Sequence, residues 1–400
     1  MGIAFESAAA LDAAFHMRTY ARKPVMFVRG EGMRLYDDDG REYLDFVAGI
    51  GSVNLGHSHP GVAEAVSTQM SRLVQVSNLY HVEHRAELAA DLVGLAGFDG
   101  RVFFANSGAE ATEGAIKLAR RWGRDRHGPE CVEVVSALRS FHGRTLAALA
   151  ATGQPAKQEA FEPLPAGFRH VPLGDTDALE VAITPRTCAV MLEPIQGEGG
   201  VFPCAPEYLA AARRLCDERG VLLVLDEVQT GFWRTGPVFA HLAMGVEPDV
   251  MTLAKSMANG LPIGAVVARA DVAEAFRPGD HGSTFGGGPV ICAAGRATIA
   301  ALAAERLGEN AVATGTYLRE RLSALAAATG AVASVRGAGL MLAIDLASPV
   351  AVDITVAALH RGLVLNSIGD RTIRFLPPLV CGRAEVDTLA DILADLLEGV

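Results

Sequence analysis

Two stretches decide how this chain folds: VLLVLDEVQTG, Val221–Gly231, and DVMTLAKSMANG, Asp249–Gly260. In the first, an apolar run rich in β-branched and leucine residues stops abruptly at Asp226, Glu227 and Gln229. In the second, a shorter apolar run stops at Lys255, with Ser, Asn and Gly behind it. A near-continuous apolar strand is one buried on both faces of a parallel sheet. Ligands of open α/β sheets bind outside the carboxyl ends of such strands. A carboxylate and an amine are therefore delivered to one sheet edge, where an unpaired charge is costly to bury.

One chemistry needs that pair. Pyridoxal 5′-phosphate forms a Schiff base with a lysine, and its ring nitrogen needs an anionic partner. Lys255 is the candidate Schiff-base lysine and proton shuttle, and Asp226 the candidate partner of the ring nitrogen. The competing reading of the two residues is an Asp–Lys ion pair that closes the top of the sheet.

Strand and helix patterns alternate through the middle of the chain, which argues α/β. With 400 residues, half of them hydrophobic, the chain has material for a large core and more than one domain. The net charge of −11 lacks the basic footprint of a nucleic-acid binder. Six scattered cysteines without a CxxC read as buried thiols in a reducing compartment. The N-terminus lacks a basic n-region, and no apolar run approaches the length of a membrane span. A cytoplasmic protein is expected, with no metal site: His57 and His59 have no third ligand nearby.

Other segments fit the same sheet edge. Residues 1–25 read as a short helix and an extended arm, and Met33–Phe46 as a hairpin turning at Asp39-Gly40. The strand Arg101–Ala105 leads through Asn106-Ser107-Gly108-Ala109 into a helix, whose N-terminal N–H groups make an anion site. After the strand Cys131–Ser136, the loop Ser140–Thr145 carries Phe141, an aromatic face, and Arg144, a two-pronged carboxylate ligand. The strand Thr187–Glu193 ends in a Gly-rich loop bearing Glu198, and the helix Pro206–Gly220 completes a βαβ unit. Beyond a second Gly-rich loop, Gly282–Pro289, come a long Ala-rich helix and an α+β pattern whose last strand carries Arg374. Three parts are expected: an N-terminal arm and hairpin over 1–50 belonging to the smaller domain, a large cofactor-binding domain over 51–290, and a C-terminal small domain over 291–400.

SGAEA (Ser107–Ala111), SFHGRT (Ser140–Thr145), EPIQGEGG (Glu193–Gly200), LDEVQTG (Leu225–Gly231), LAKSMANGLPIGA (Leu253–Ala265), GSTFGG (Gly282–Gly287) and RFLPPL (Arg374–Leu379) together resemble the class-III pyridoxal-phosphate aminotransferases. The resemblance runs from about residue 15 to the C-terminus. It implies the fold type I of pyridoxal-phosphate enzymes, with a large, mostly parallel-sheet domain and a smaller α+β domain. It also implies a homodimer whose active sites lie at the subunit interface. By the same resemblance Lys255 and Asp226 are catalytic. Ser107, Gly108 and Ala109 bind the cofactor, the last two holding its phosphate through backbone N–H groups, joined there by Thr284 of the partner chain. Phe141 and Val228 flank the ring, and Gln229 lies near its phenolate oxygen. Arg144, with Ser283, takes the distal carboxylate of the substrate, and Glu198 and Arg374 form a switch between two substrates.

The chain is most similar to the branch of that family acting on acylated ornithine; GLVLNSIGD at Gly362–Asp370 adds to this likeness. The resemblance then implies transfer of the terminal amine of N2-acetyl-L-ornithine to 2-oxoglutarate, a step of arginine biosynthesis. Succinylornithine, a carrier-linked lysine precursor and 4-aminobutyrate are neighbouring donors, and an aminomutase is the alternative from another class. Four positions depart from the family pattern: Ala109 for Thr, Gly288 for Asn, Phe232-Trp233 for smaller residues, and Ile50 where ornithine enzymes carry Tyr. Phe232-Trp233 is expected to narrow or reshape the entrance.

Overall fold

The computed structural model describes residues 4–398. Seven strands make the large sheet: β1 (Gly100–Ala105), β2 (Glu133–Ala137), β3 (Phe168–Val171), β4 (Thr187–Leu192), β5 (Leu222–Asp226), β6 (Val250–Leu253) and β7 (Gly264–Arg269). Their order is β1-β7-β6-β5-β4-β2-β3. Only β7 runs against its neighbours β6 and β1; all other pairings are parallel. β4, β5 and β6 are buried along their whole length, as their unbroken apolar sequences require.

Alternation along β5 divides two cores. Leu223 and Leu225 pack with Leu209 and Leu215 of the helix Pro206–Arg219. Leu222 and Val224 face the other side, where they meet Ile116 and Leu118 of the helix Gly108–His127. The helix Pro206–Arg219 ends at Gly220, left-handed at φ 62°, and returns the chain into β5 beside β4, giving the expected βαβ unit.

Two four-stranded sheets lie outside the large one. Phe27–Glu31, Arg34–Asp37 and Glu42–Asp45 are joined by Leu363–Val364 from the far end of the chain. Val332–Ala338, Met341–Leu346, Thr372–Phe375 and Asn366–Ile368 form the other, in that order. The Ala-rich segment differs from the single long helix expected. It is two helices, Pro289–Ala304 and Leu307–Thr329, broken where Arg306 turns left-handed at φ 53°. Apolar periodicity continues across such a break and does not register it.

His57 bonds Asp45 at 2.8 Å and His59 bonds Glu305 at 2.9 Å. Among the described residues no cluster of three or more His, Cys, Asp or Glu is arranged to hold a metal ion. All six cysteines are free thiols and buried. No described helix is long and apolar enough to cross a membrane.

Candidate active site

β5 and β6 lie side by side with Asp226 in register with Thr252, so both chains leave the sheet at the same edge. Three residues after Thr252 comes Lys255, with its backbone in the left-handed region at φ 39°. That is a strained conformation for a residue with a side chain, of the kind that clusters at functional sites. Asp226 and Lys255 both line a cavity of about 380 Å³ at this edge.

The two do not pair with each other. Asp226 Oδ2 is held by His142 Nδ1 at 2.8 Å, and Oδ1 accepts the Val228 N–H at 3.0 Å. None of the described residues gives Lys255 Nζ a hydrogen bond or ion pair. Burial lowers the Lys255 pKa from its ordinary value, Arg374 adds to the lowering, and Glu198 and Asp226 oppose it. An ion pair closing the sheet is therefore not what these residues form. An amine held short of its usual proton affinity is what a Schiff-base lysine requires.

The helix Gly108–His127 opens on the same cavity. Ser107 caps it, its hydroxyl accepting the Glu110 N–H at 3.2 Å. The N–H groups of Gly108 and Ala109 have no partner within the helix, and the helix dipole favours an anion there. A Cβ on Gly108 would lie 3.0 Å from Val228 Cγ1, so glycine keeps the space between helix and β5 open. A phosphate cradle, a lysine and an aspartate on one cavity fit pyridoxal phosphate.

The loop after β2 supplies three side chains. Phe141 is half-buried and lines the cavity, with the exposed Arg144 guanidinium 5.5 Å from its ring centroid. His142 is buried. Burial alone would lower its pKa, but hydrogen bonding and charge from Asp226, with Glu193 beyond, raise it. Glu193 accepts the Phe141 N–H at 2.9 Å and the Gly197 N–H at 3.3 Å, tying this loop to the one that bears Glu198. Burial pushes the Glu193 carboxyl up to about 7, against the pull of His142.

Glu198 lines the cavity and covers Arg374, which is buried behind it. Arg374 Nη1 donates to Glu198 Oε1 at 2.5 Å and to Gln229 Oε1 at 3.4 Å. Burial would raise the Glu198 pKa; the charge and hydrogen bond of Arg374 outweigh it and lower the pKa. Gly197 allows this closeness, since a Cβ there would sit 1.9 Å from Gln229 Oε1.

Most of the residues singled out in the sequence thus meet at one cavity: Ser107, Gly108, Ala109, Phe141, Arg144, Glu198, Asp226, Val228, Gln229 and Lys255, with Arg374 beneath Glu198. Ser283 and Thr284 do not. They line a separate hollow beside Phe285, where Ser283 Oγ accepts from Asn106 at 3.2 Å and the Thr284 carbonyl accepts from Gln75. The expectation for Phe232-Trp233 is corrected. Phe232 is buried against Phe239, Trp233 packs on Gly308, and neither lines the cavity. The Phe232 ring is drawn into the core and the half-buried Trp233 packs against it, rather than standing at a polar entrance. His142 and Glu193 received no role from the sequence. Both lie inside the quoted motifs SFHGRT and EPIQGEGG, and for Glu193, directly after the strand end at Leu192, a titratable residue beside a buried strand was the available signal.

The class-III aminotransferase family model matches residues 16–397. The chain is similar to the acetylornithine aminotransferase of Caldanaerobacter subterraneus, 47% identical over 384 residues that cover 96% of this chain and 97% of that one. It is 50% identical over 392 residues to the acetylornithine aminotransferase of Gloeobacter violaceus, covering 96% and 95%. Among solved structures, the ornithine aminotransferase of Toxoplasma gondii matches with a TM-score of 0.95 at 34% identity, over 99% of this chain and 95% of that one. A second structure of that enzyme has partial occupancy of PLP at its active site. The acetylornithine aminotransferase of Elizabethkingia anophelis matches with a TM-score of 0.88 at 32% identity, over 99% of both chains.

Proposed function

The chain belongs to the class-III aminotransferase family, and on that premise we propose that it moves the terminal amino group of N2-acetyl-L-ornithine to 2-oxoglutarate. The products are N-acetylglutamate semialdehyde and L-glutamate. The observation that carries this reading is the arginine masked by a carboxylate at a cavity that already has Arg144 at its rim. Two substrates must use one site. Acetylornithine reacts at its terminal amine and needs no cation beside the reacting carbon. Glutamate reacts at its α-amine and brings a carboxylate there. Arg144 takes the far carboxylate of either. Glu198 paired to Arg374 suits the first substrate, and Glu198 moved away uncovers a cation for the second.

Pyridoxal phosphate, the cofactor of this family, supplies an electron sink that stabilises negative charge on the carbon losing its proton. Lys255 Nζ would hold it and, once displaced by the substrate amine, would be free to take and return that proton. Asp226, steadied by His142, keeps the ring nitrogen protonated. Gly108 and Ala109 N–H groups, with Ser107, bind the phosphate. Phe141 and Val228 would flank the ring, and Gln229 would serve the phenolate oxygen; all three line the cavity. Thr284 and Ser283, which do not line the cavity of their own chain, serve a partner's site in a cytoplasmic homodimer. The arm and hairpin over 1–50 group with the small domain over 291–400, a reading supported by the pairing of Glu42–Asp45 with Leu363–Val364, and 51–290 forms the large domain.

A donor screen against 2-oxoglutarate, scoring glutamate formed, tests the reading. Acetylornithine is expected to give the highest kcat/KM. Faster turnover of succinylornithine, a carrier-linked lysine precursor or 4-aminobutyrate would replace the donor, and no glutamate from any of them would refute the transfer itself.

A further inference from the structure

Arg374 is buried to 1% exposure, and a guanidinium carries five N–H donors and no acceptor. Two of its nitrogens face a single neutral atom: Nε and Nη2 both donate to Asn366 Oδ1, at 3.1 and 2.6 Å. Because arginine only donates, the Asn366 amide must present its oxygen to it. The contact is built into the sheet, since Asn366 and Arg374 are direct partners across the antiparallel pair of strands Asn366–Ile368 and Thr372–Phe375. Nη1 alone reaches a carboxylate, that of Glu198, with the neutral Gln229 amide beside it.

The guanidinium is thus fixed on one edge without being neutralised. We propose that Asn366 is a positioning residue that sets the substrate preference. Its neutral oxygen orients Arg374 and leaves the positive charge for one carboxylate at a time, either Glu198 or the α-carboxylate of glutamate. This rests on the exchange between Glu198 and substrate proposed above, and it names what makes that exchange reversible. An anionic oxygen at 366 would form a permanent ion pair with Arg374, and an incoming carboxylate would then meet a neutralised partner. A shorter serine side chain at 366 adds no charge beside Arg374.

The test is single-turnover absorbance of the bound cofactor in the holoenzyme, titrated separately with glutamate and with acetylornithine. In Asn366→Asp the glutamate concentration giving half the limiting rate should rise about ten- to a hundredfold, the worth of one charge-assisted hydrogen bond. The limiting rate and the acetylornithine titration should change by less than about threefold. Asn366→Ser should keep the wild-type ratio of the two titrations. Equal changes toward both substrates, no change in Asn366→Asp, or the same loss in Asn366→Ser would each overturn the inference. Glu198→Ala is run in parallel. If its preference shifts toward glutamate while Asn366→Asp is unchanged, only the role of Asn366 falls. If Glu198→Ala leaves the preference where it was, the exchange falls and the role of Asn366 with it.

Discussion

His142 Nδ1 lies 2.8 Å from Asp226 Oδ2, and both side chains are buried where β5 leaves the sheet. The pair explains how Asp226 is held and oriented at the cavity although no described lysine or arginine bonds it. A hydrogen bond to a charged group contributes about 1.5–3 kcal/mol. His142→Phe should therefore lower kcat about ten- to a hundredfold and weaken cofactor retention. The pH titration of the bound cofactor's absorbance should move as well. A lower unfolding temperature with unchanged spectrum and kcat would reduce His142 to a packing residue.

Lys255→Ala should abolish turnover. The fold should survive, because the variant removes an amine that no described residue pairs, at a cavity already open. Thermal unfolding of the apoprotein should occur at a temperature no lower than wild type. Measurable transamination by this variant would remove Lys255 from the chemistry.

Arg144 stands exposed at the cavity rim, 5.5 Å over the Phe141 ring. Lysine at this position keeps the charge but loses the planar fork. Arg144→Lys should raise KM for acetylornithine and for 2-oxoglutarate about tenfold, with a smaller effect on kcat. Steady-state kinetics with both substrates checks this, and an unchanged KM for each would make Arg144 a surface residue.

Glu193 has its pKa raised by burial to about 7, from an ordinary value of 4.5. The folded state therefore binds this proton more tightly than the unfolded chain. Its contribution to stability is present below pH 4.5 and is lost as the pH rises through about 7. Glu193→Gln cannot titrate, so the apoprotein variant should lose less stability than wild type across that window. Urea unfolding at a series of pH values measures the difference. A single group sets a slope of at most about 1.4 kcal/mol per pH unit. Parallel stability profiles for the two proteins would show that Glu193 does not titrate there.

The parts whose cause is local are legible in the chain's own pattern. The apolar run ending at Asp226 specifies a strand buried on both faces, and its abrupt end places polar residues at the sheet edge. Ser107 before Gly108 and a 3.6-residue pattern specify a capped helix whose N-terminus receives an anion. Lys255 and Asp226 were legible because charges closing two apolar runs have few reasons to be there. Features that depend on distant partners arise only when the elements pack together. β7 runs antiparallel between β6 and β1, a direction that period-two alternation does not encode. Arg306 breaks one apparent helix into two. Glu198 meets Arg374 across 176 positions of sequence, and His142 meets Asp226 across 84. Phe232 turns from the entrance to the core. Composition and periodicity report which face of an element is apolar. Which charged groups share a buried volume is set by how the elements pack, and there the pKa of Glu193, the aim of Arg374 and the unpaired Lys255 are fixed.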